Sequence, residues 1–476
     1  MTTNTKEKSS SAINLKSFLT VAVILCVLIA VAGILSNVIP KGSYDYTETG
    51  EIIAGSYVQL GVKGIELWRI ITAPIRVFFS EDGLNIVMIS LFLVIMSGVF
   101  NVMEKTGGVK ALIKRGVAKF SHKKTLVLCI TILGFMVFGS FFGMFEELCT
   151  LLPIIVVFTL SIGYDTMTGL GICMLSACFG FSAAITNPFS VGLASQMAGT
   201  HVFDGVWLRL ILFALIYGII CFFILSYVKK ISKNPQKSLT YELDIEKLKT
   251  IDLNGEANPN EERLFKIYGI FFLIEFVVLI LIASIREISG YAIVILAITF
   301  LIGGFVTGSL AEKSFKKVCV LFLDGAVAML PAVVMIALAS SVKLILDESQ
   351  ITPTIMNAVI TYLSGKNKFV CVLLIYALIL VLQLFIGSSS AKIMLIMPLL
   401  VPICSELGLT PATLILTYCI ADGFTDMIIP TNPVLLIGLS ITGVSYGKWL
   451  KWTYKLQIAV FILTILILFV AVGVNL

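Results

Sequence analysis

Charge is what this chain has least of: Asp, Glu, Lys and Arg make up 13% of its 476 residues, about half the share of an ordinary soluble domain. It has two histidines, His122 and His201, too few for a zinc or iron centre built on His clusters. The ten cysteines stand mostly alone within apolar segments, as at Cys26, Cys129, Cys221 and Cys371, with no C-x-x-C pair. They read as packing thiols. Neither a metal nor a resident cofactor is expected, and no nucleic-acid partner.

What the chain has instead is long apolar runs. Hydrophobic residues make up 58% of it and the mean hydropathy is +1.03. Windows at 18–39, 84–103, 205–228, 265–283, 290–308, 369–386 and 449–472 each reach the length of about 20 residues that a spanning helix needs. Roughly ten to twelve membrane segments fit in all, so the expectation is an all-α, multi-pass protein with the lipid bilayer as its main surroundings. The first run exceeds a signal-peptide core and lacks a small-residue cleavage site, so it reads as a retained helix.

The few charges are sorted. Residues 104–124 carry seven Lys and Arg against Glu104 alone, and cytoplasmic loops are enriched in such residues. That loop, and the N-terminal tail 1–17 with Lys6, Lys8 and Lys16, are placed in the cytoplasm. Residues 40–83 carry six acids against four basic residues and are placed outside, with the amphipathic stretch 64–79 along the interface. The polar stretch 229–264 reads as a cytoplasmic linker. It divides a first unit, 18–228, from a connector helix, 265–289, and a second unit, 290–476.

The two units are related. At an offset of 245, residues 153–195 match 398–440 without a gap at nine positions: Pro153, Val156, Gly163, Thr168, Phe179, Thr186, Asn187, Pro188 and Ser195. The loop charges place segments 84–103 and 329–348 in opposite directions across the membrane, which makes the repeats inverted. Inverted repeats with interrupted helices mark secondary transporters, whose site lies near the midplane between the copies.

The breaks are legible. Proline lacks the backbone donor and disfavours helical geometry in the residue before it, so the chain should break at 187–188 and 432–433, within "ITNPFS" and "PTNPVL". Thr186, Asn187, Thr431 and Asn432 stand there as candidates for a coupling ion, because broken helix ends bind ions. Ahead of Pro153 and Pro398 lie "FFGMFEELCTLLP" and "FIGSSSAKIMLIMP", which read as tips of two re-entrant hairpins near 137–152 and 383–397. A charge at mid-membrane costs about 2.5 to 3.5 kcal/mol on insertion scales, so Glu146, Glu147 and Lys392 need a partner, water or substrate. Either glutamate is a candidate partner for Lys392. Asp422 and Asp426, four apart on one predicted helical face, flank a cation or a proton path. Asp165, in a Gly-bounded loop before a helix, reads as an N-cap.

"EELCTLLPIIVVFTLSIGYDTMTGLGI", "NPFSVGLAS", "GSSSAKIMLIMPLLVPICSELGL" and "ADGFTDMIIPTNPVLLIGLSITGVSYGKWLKW" resemble the YfcC family. That family is similar to the DcuC C4-dicarboxylate carriers of the wider ion transporter superfamily. The resemblance covers most of the chain and is weakest in the linker and termini. It implies a bacterial inner-membrane secondary transporter with a scaffold and a mobile transport domain, elevator-like movement and a homodimer. It also implies that Asn187 and Asn432 serve sodium and a substrate carboxylate. The chain reads Thr-Asn-Pro at both sites and lacks the serine usual before that motif.

The family includes basic amino acid antiporters and dicarboxylate carriers. Four acids, Glu146, Glu147, Asp422 and Asp426, against Lys392 favour a cationic small-molecule substrate, since a dicarboxylate wants fixed positive partners. The leading expectation is an arginine/ornithine exchanger. In it Glu146, Glu147 and Asp422 meet the side-chain cation, while Asn187, Asn432 and Ser388, Ser389 and Ser390 hold the α-groups. Next comes a Na+- or H+-coupled C4-dicarboxylate transporter with Lys392 on the anion. A channel stands well behind, as does an intramembrane hydrolase using Ser390 and Lys392.

Overall fold

The computed structural model describes residues 15–45, 47, 52, 53, 55–61, 64–112, 123–251, 260–284, 291–363 and 365–476. The first 14 residues of the expected N-terminal tail, residues 113–122 of the basic loop, 252–259 of the linker and 285–289 of the connector lie outside them. Among the described residues eight helices are long and apolar enough to cross a membrane: Val21–Val38, Gly83–Lys105, Lys124–Phe142, Val206–Lys233, Glu261–Ile282, Ile293–Glu312, Phe315–Ser349 and Tyr446–Gly473. The seventh is interrupted at Met329, ahead of Pro331, which removes a backbone donor inside the run. Each buries one face and leaves the other apolar and exposed. Tyr446–Gly473, for example, buries Leu456, Val460 and Ile467 while Ile458, Ile462 and Leu466 face outward. Among the described residues the only sheet is an antiparallel pair, Lys41–Ser43 with Val58–Gly61, at the end of the molecule where Gly42 N–H donates to Gln350 C=O at 3.0 Å.

Five apolar helices are shorter. The apolar window 369–386 does not span: its helix, Lys368–Gln383, has 16 residues and reaches about 24 Å, less than a hydrocarbon core of about 30 Å. After Gly387 the chain turns back as Ser389–Leu400. The first hairpin has a longer first arm, Lys124–Phe142, followed by Glu147–Ser161, with left-handed Gly143 between them.

Equivalent positions of the two copies adopt equivalent local structure. Gly163 and Gly408 both take positive φ, 87° and 68°. Asp165 and Thr410 each cap the following helix by accepting from the amide three residues on, Thr168 and Thr413, at 2.8 and 3.1 Å. Asn187 and Asn432 cap the helices that begin at Pro188 and Pro433. Phe179 and Phe424 pack edge to face with centroids 5.1 Å apart, and the Cys178 thiol donates to Gly423 C=O at 3.1 Å. A residue touches its own counterpart only beside a two-fold axis, so the copies meet there. The inversion is visible at Lys247, whose ammonium donates to Thr166, where the first broken helix starts, and to Thr442 C=O, where the second ends, at 3.3 and 2.8 Å.

Around these elements stands a scaffold of Gly83–Lys105, Glu261–Ser284, Ala292–Glu312, Phe315–Ala328 and Leu330–Ser349. Phe271, Phe272 and Phe300 form its aromatic core, and close approaches such as Gly304 against Val99 bring its helices together. Part of the polar stretch 229–264 is structured: the helix Tyr241–Ile251 docks on the broken helices through Lys247 and through Asp244, whose carboxylate accepts from the Thr166 hydroxyl and the Thr240 hydroxyl at 2.5 and 2.7 Å.

Candidate functional site

Each broken helix is stapled to its own hairpin. In the first copy the Ser140 carbonyl accepts from the amides of Ile185, Thr186 and Asn187 at 3.1, 3.2 and 3.1 Å. The Ser140 hydroxyl donates to Ala183 C=O at 2.6 Å, and the Thr186 hydroxyl donates to Phe141 C=O at 3.1 Å. In the second, the Thr431 hydroxyl donates to Leu384 C=O at 3.0 Å, and the Tyr418 hydroxyl donates to Ser389 C=O at 2.6 Å. These bonds satisfy backbone that unwinding has freed, which hydrocarbon cannot do. Gly143 must be glycine, since a Cβ there would come within 2.3 Å of the Asn187 side chain.

Between the hairpin tips and the scaffold lies a cavity of about 360 Å³. The first hairpin contributes Glu146 and Glu147, the second Ser388, Ser389 and Ser390, and the second break Asp426, Thr431 and Asn432. The scaffold contributes Asp82, Asn85 and Lys343, on the side of the membrane that carries the strand pair. A smaller cavity of about 120 Å³, lined by Glu104, Pro153, Lys247 and Thr442, lies toward the other side.

Four candidates are absent from the wall of the larger cavity. Asn187 is fully buried, and its carbonyl oxygen accepts from Phe189 N–H at 2.9 Å. Thr186 is tied to Phe141. Lys392 and Asp422 lie behind the wall at 0% and 1% exposure as an ion pair. The expected partnership of Lys392 with Glu146 or Glu147 is not made: Asp422 takes Lys392 as its partner, while the glutamates face the cavity. Asp422 and Asp426 do not share a regular helix either. The helix ends at Gly423 and Asp426 sits in the turn beyond it, its amide donating to Gly423 C=O at 3.0 Å, with its carboxylate held by the Gln383 side-chain amide.

The sequence reading missed Lys343 and Gln383. Lys343 pairs with Asp82 and lies 4.0 Å from Asp347; a lysine inside the apolar run 330–346 was the available signal. Arg209, 2% exposed, is an intramembrane arginine away from the cavity that donates to Val202 C=O and, at 3.0 Å, to Asp204 C=O.

Two inverted copies, broken helices and a polar cavity between them define a membrane transporter rather than an enzyme. The model of the DcuC family, the C4-dicarboxylate anaerobic carriers, matches residues 17–473, and the chain belongs to that family. Among curated relatives, the "Putative basic amino acid antiporter YfcC" of Escherichia coli (strain K12) is 24% identical over 377 residues, 76% of this chain and 73% of that one. An uncharacterized protein of Haemophilus influenzae is 27% identical over 413 residues, 84% and 77% of the two chains. Among solved structures, the YdaH transporter of Alcanivorax borkumensis is 19% identical with a TM-score of 0.42, over 96% of this chain and 97% of that chain. MtrF of Neisseria gonorrhoeae, titled as one of a class of antimetabolite efflux pumps, is 18% identical with a TM-score of 0.41, over 95% and 94%.

Proposed function

We propose that this carrier exchanges cationic amino acids, of the arginine and ornithine type, across a bacterial inner membrane with its N-terminus in the cytoplasm. Alternating access would come from an elevator-like movement of the hairpins and broken helices against the scaffold. The sign of the cavity carries the reading. Glu146, Glu147 and Asp426 line it, and the one lysine among its described lining residues, Lys343, is already paired with Asp82. A guanidinium or ammonium meets three carboxylates there, while the N-terminus of Ser389–Leu400 presents amides and hydroxyls to an α-carboxylate. The name of the Escherichia coli relative points the same way. Counterflow tests it: proteoliposomes loaded with unlabelled arginine should accumulate labelled ornithine, and failure to do so overturns the substrate assignment.

The second reading is a C4-dicarboxylate, favoured by the family description and by Lys343 beside the Ser388–Ser390 tip. In that reading Lys343 meets the anion and Lys392, behind the wall, does not. Succinate uptake that depends on Lys343 and is spared by Glu147→Gln would select it.

A further inference from the structure

Behind the cavity wall the charges do not balance. Lys392 and Asp422 form a buried ion pair, and Asp426, 6% exposed, adds a second carboxylate whose charge acts on both. One lysine faces two acids, leaving one negative charge over. A charge buried without compensation is costly.

The fold does not require this cluster, and the duplication supplies the control. At the offset of 245, Gln383, Lys392, Asp422 and Asp426 correspond to Phe138, Glu147, Ala177 and Phe181. The first copy builds the same hairpin and the same break with Phe and Ala where the second has Gln and two Asp. The first copy has Glu147 at the place of Lys392, and its two acids line the cavity, so a buried lysine facing two aspartates occurs in the second copy alone.

The oxygens at the two breaks, where a coupling ion was expected, are already engaged. Asn432 Oδ1 accepts from Val434 N–H and Leu435 N–H at 2.9 and 3.2 Å, Asn187 Oδ1 accepts from Phe189 N–H, and the Thr186 and Thr431 hydroxyls donate to carbonyls. Asp426 differs. Its carboxylate is held by the neutral side-chain amides of Gln383 and Asn432, and it opens onto the cavity. The groups facing it are Lys392 and Asp422 from the adjoining helices, Tyr418 one turn before Asp422, Cys178 from the first broken helix and Asn432 from its own break. Glu146 and Glu147 line the same cavity.

We propose that Asp426 is a shared site for a proton and for the cationic group of the substrate, with Lys392 and Asp422 paired beside it. Occupancy by one excludes the other, because either neutralises the same surplus charge. The empty carrier holds a proton at Asp426, an arriving cation displaces it, and the exchange becomes proton-linked. This rests on the cationic-substrate reading for its second half only; the proton site stands apart from it.

Two measurements on the full-length protein separate the parts. Infrared difference spectra of reconstituted carrier between about pH 5 and 9 should show a buried carboxylic C=O band that titrates in that window, is lost in Asp426→Asn and is retained in Glu147→Gln. Wild-type protein with no titrating band, or Asp426→Asn with an unchanged one, overturns the proton site. In weakly buffered detergent solution, arginine should release about one proton per molecule bound, by linkage. Arginine counterflow without proton release overturns the shared site and leaves the substrate reading standing. A titrating band without arginine binding overturns the substrate reading and leaves the proton site. Should Asp426→Asn fail to fold, Asp426→Glu serves: the band must persist at a shifted frequency, and an unshifted band assigns it elsewhere.

Discussion

Phe179 and Phe424, 245 positions apart and equivalent in the duplication, touch each other with their rings at 84°. The contact lies where the two broken helices cross, and the Cys178 to Gly423 hydrogen bond beside it joins another equivalent pair. Both phenylalanines are at most 2% exposed. Truncating either to Ala should lower stability by about 3 to 5 kcal/mol, and the double mutant should cost less than the sum by about 0.5 to 1.5 kcal/mol. Unfolding in detergent would read this, and strict additivity would refute the axis contact as an energetic unit.

The cavity acids carry the substrate reading. Glu147→Gln should weaken arginine binding about 10- to 100-fold, the scale of one lost charge-assisted bond, with Glu146→Gln acting in the same direction. Competition binding on purified protein measures it, and unchanged arginine affinity in both variants would remove these residues from the site.

Lys343 separates the two substrate classes. Because it is already paired with Asp82, itself about half-exposed, Lys343→Ala should leave arginine counterflow within about fivefold of wild type. If instead arginine exchange collapses while folding is intact, the lysine has a role in the cationic cycle that its pairing does not suggest.

The two asparagines should part company. Asn187→Ala removes one cap bond made by a side chain that does not line the cavity and should cost about 1 kcal/mol of stability with little change in substrate affinity. Asn432→Ala removes a cap that serves two amides on the cavity wall and should affect both. Thermal unfolding with and without arginine distinguishes them.

The docked helix Tyr241–Ile251 gives a pH signature. Burial pushes the Lys247 ammonium from 10.5 down to about 8, with Asp244 and Glu104 opposing the shift. Between those values the unfolded chain binds the proton that the folded chain has given up, so stability rises with pH across that window. Lys247→Met should flatten that rise and increase amide exchange in residues 241–251. A slope equal to wild type would show that Lys247 is solvated.

How much was legible depends on the range of the interaction. Asp165 as an N-cap and the irregular backbone before Pro188 and Pro433 follow from rules acting over three or four residues. The window 369–386 failed as a spanning helix because hydropathy counts apolar residues and does not see that the helix ends at Gln383, although the Gly-Ser stretch after it did signal a hairpin tip. The partners of Lys392 also escaped, since pairing at the repeat offset compares equivalent positions and says nothing about which ones meet. Lys343 escaped because it belongs to the scaffold, outside both repeated cores.

The sequence by itself determined a multi-pass helical protein, the duplication, the opposite sense of its copies and the places where helices break, because apolar length, proline and charge sorting act locally or against the membrane. Only the tertiary structure decided that Lys392 belongs to Asp422, that Asp426 and not Asp422 reaches the cavity, and that Lys343 faces the hairpin tips. Those outcomes depend on which side chains a three-dimensional packing of two inverted copies brings within a few ångströms, and no spacing along the chain encodes them.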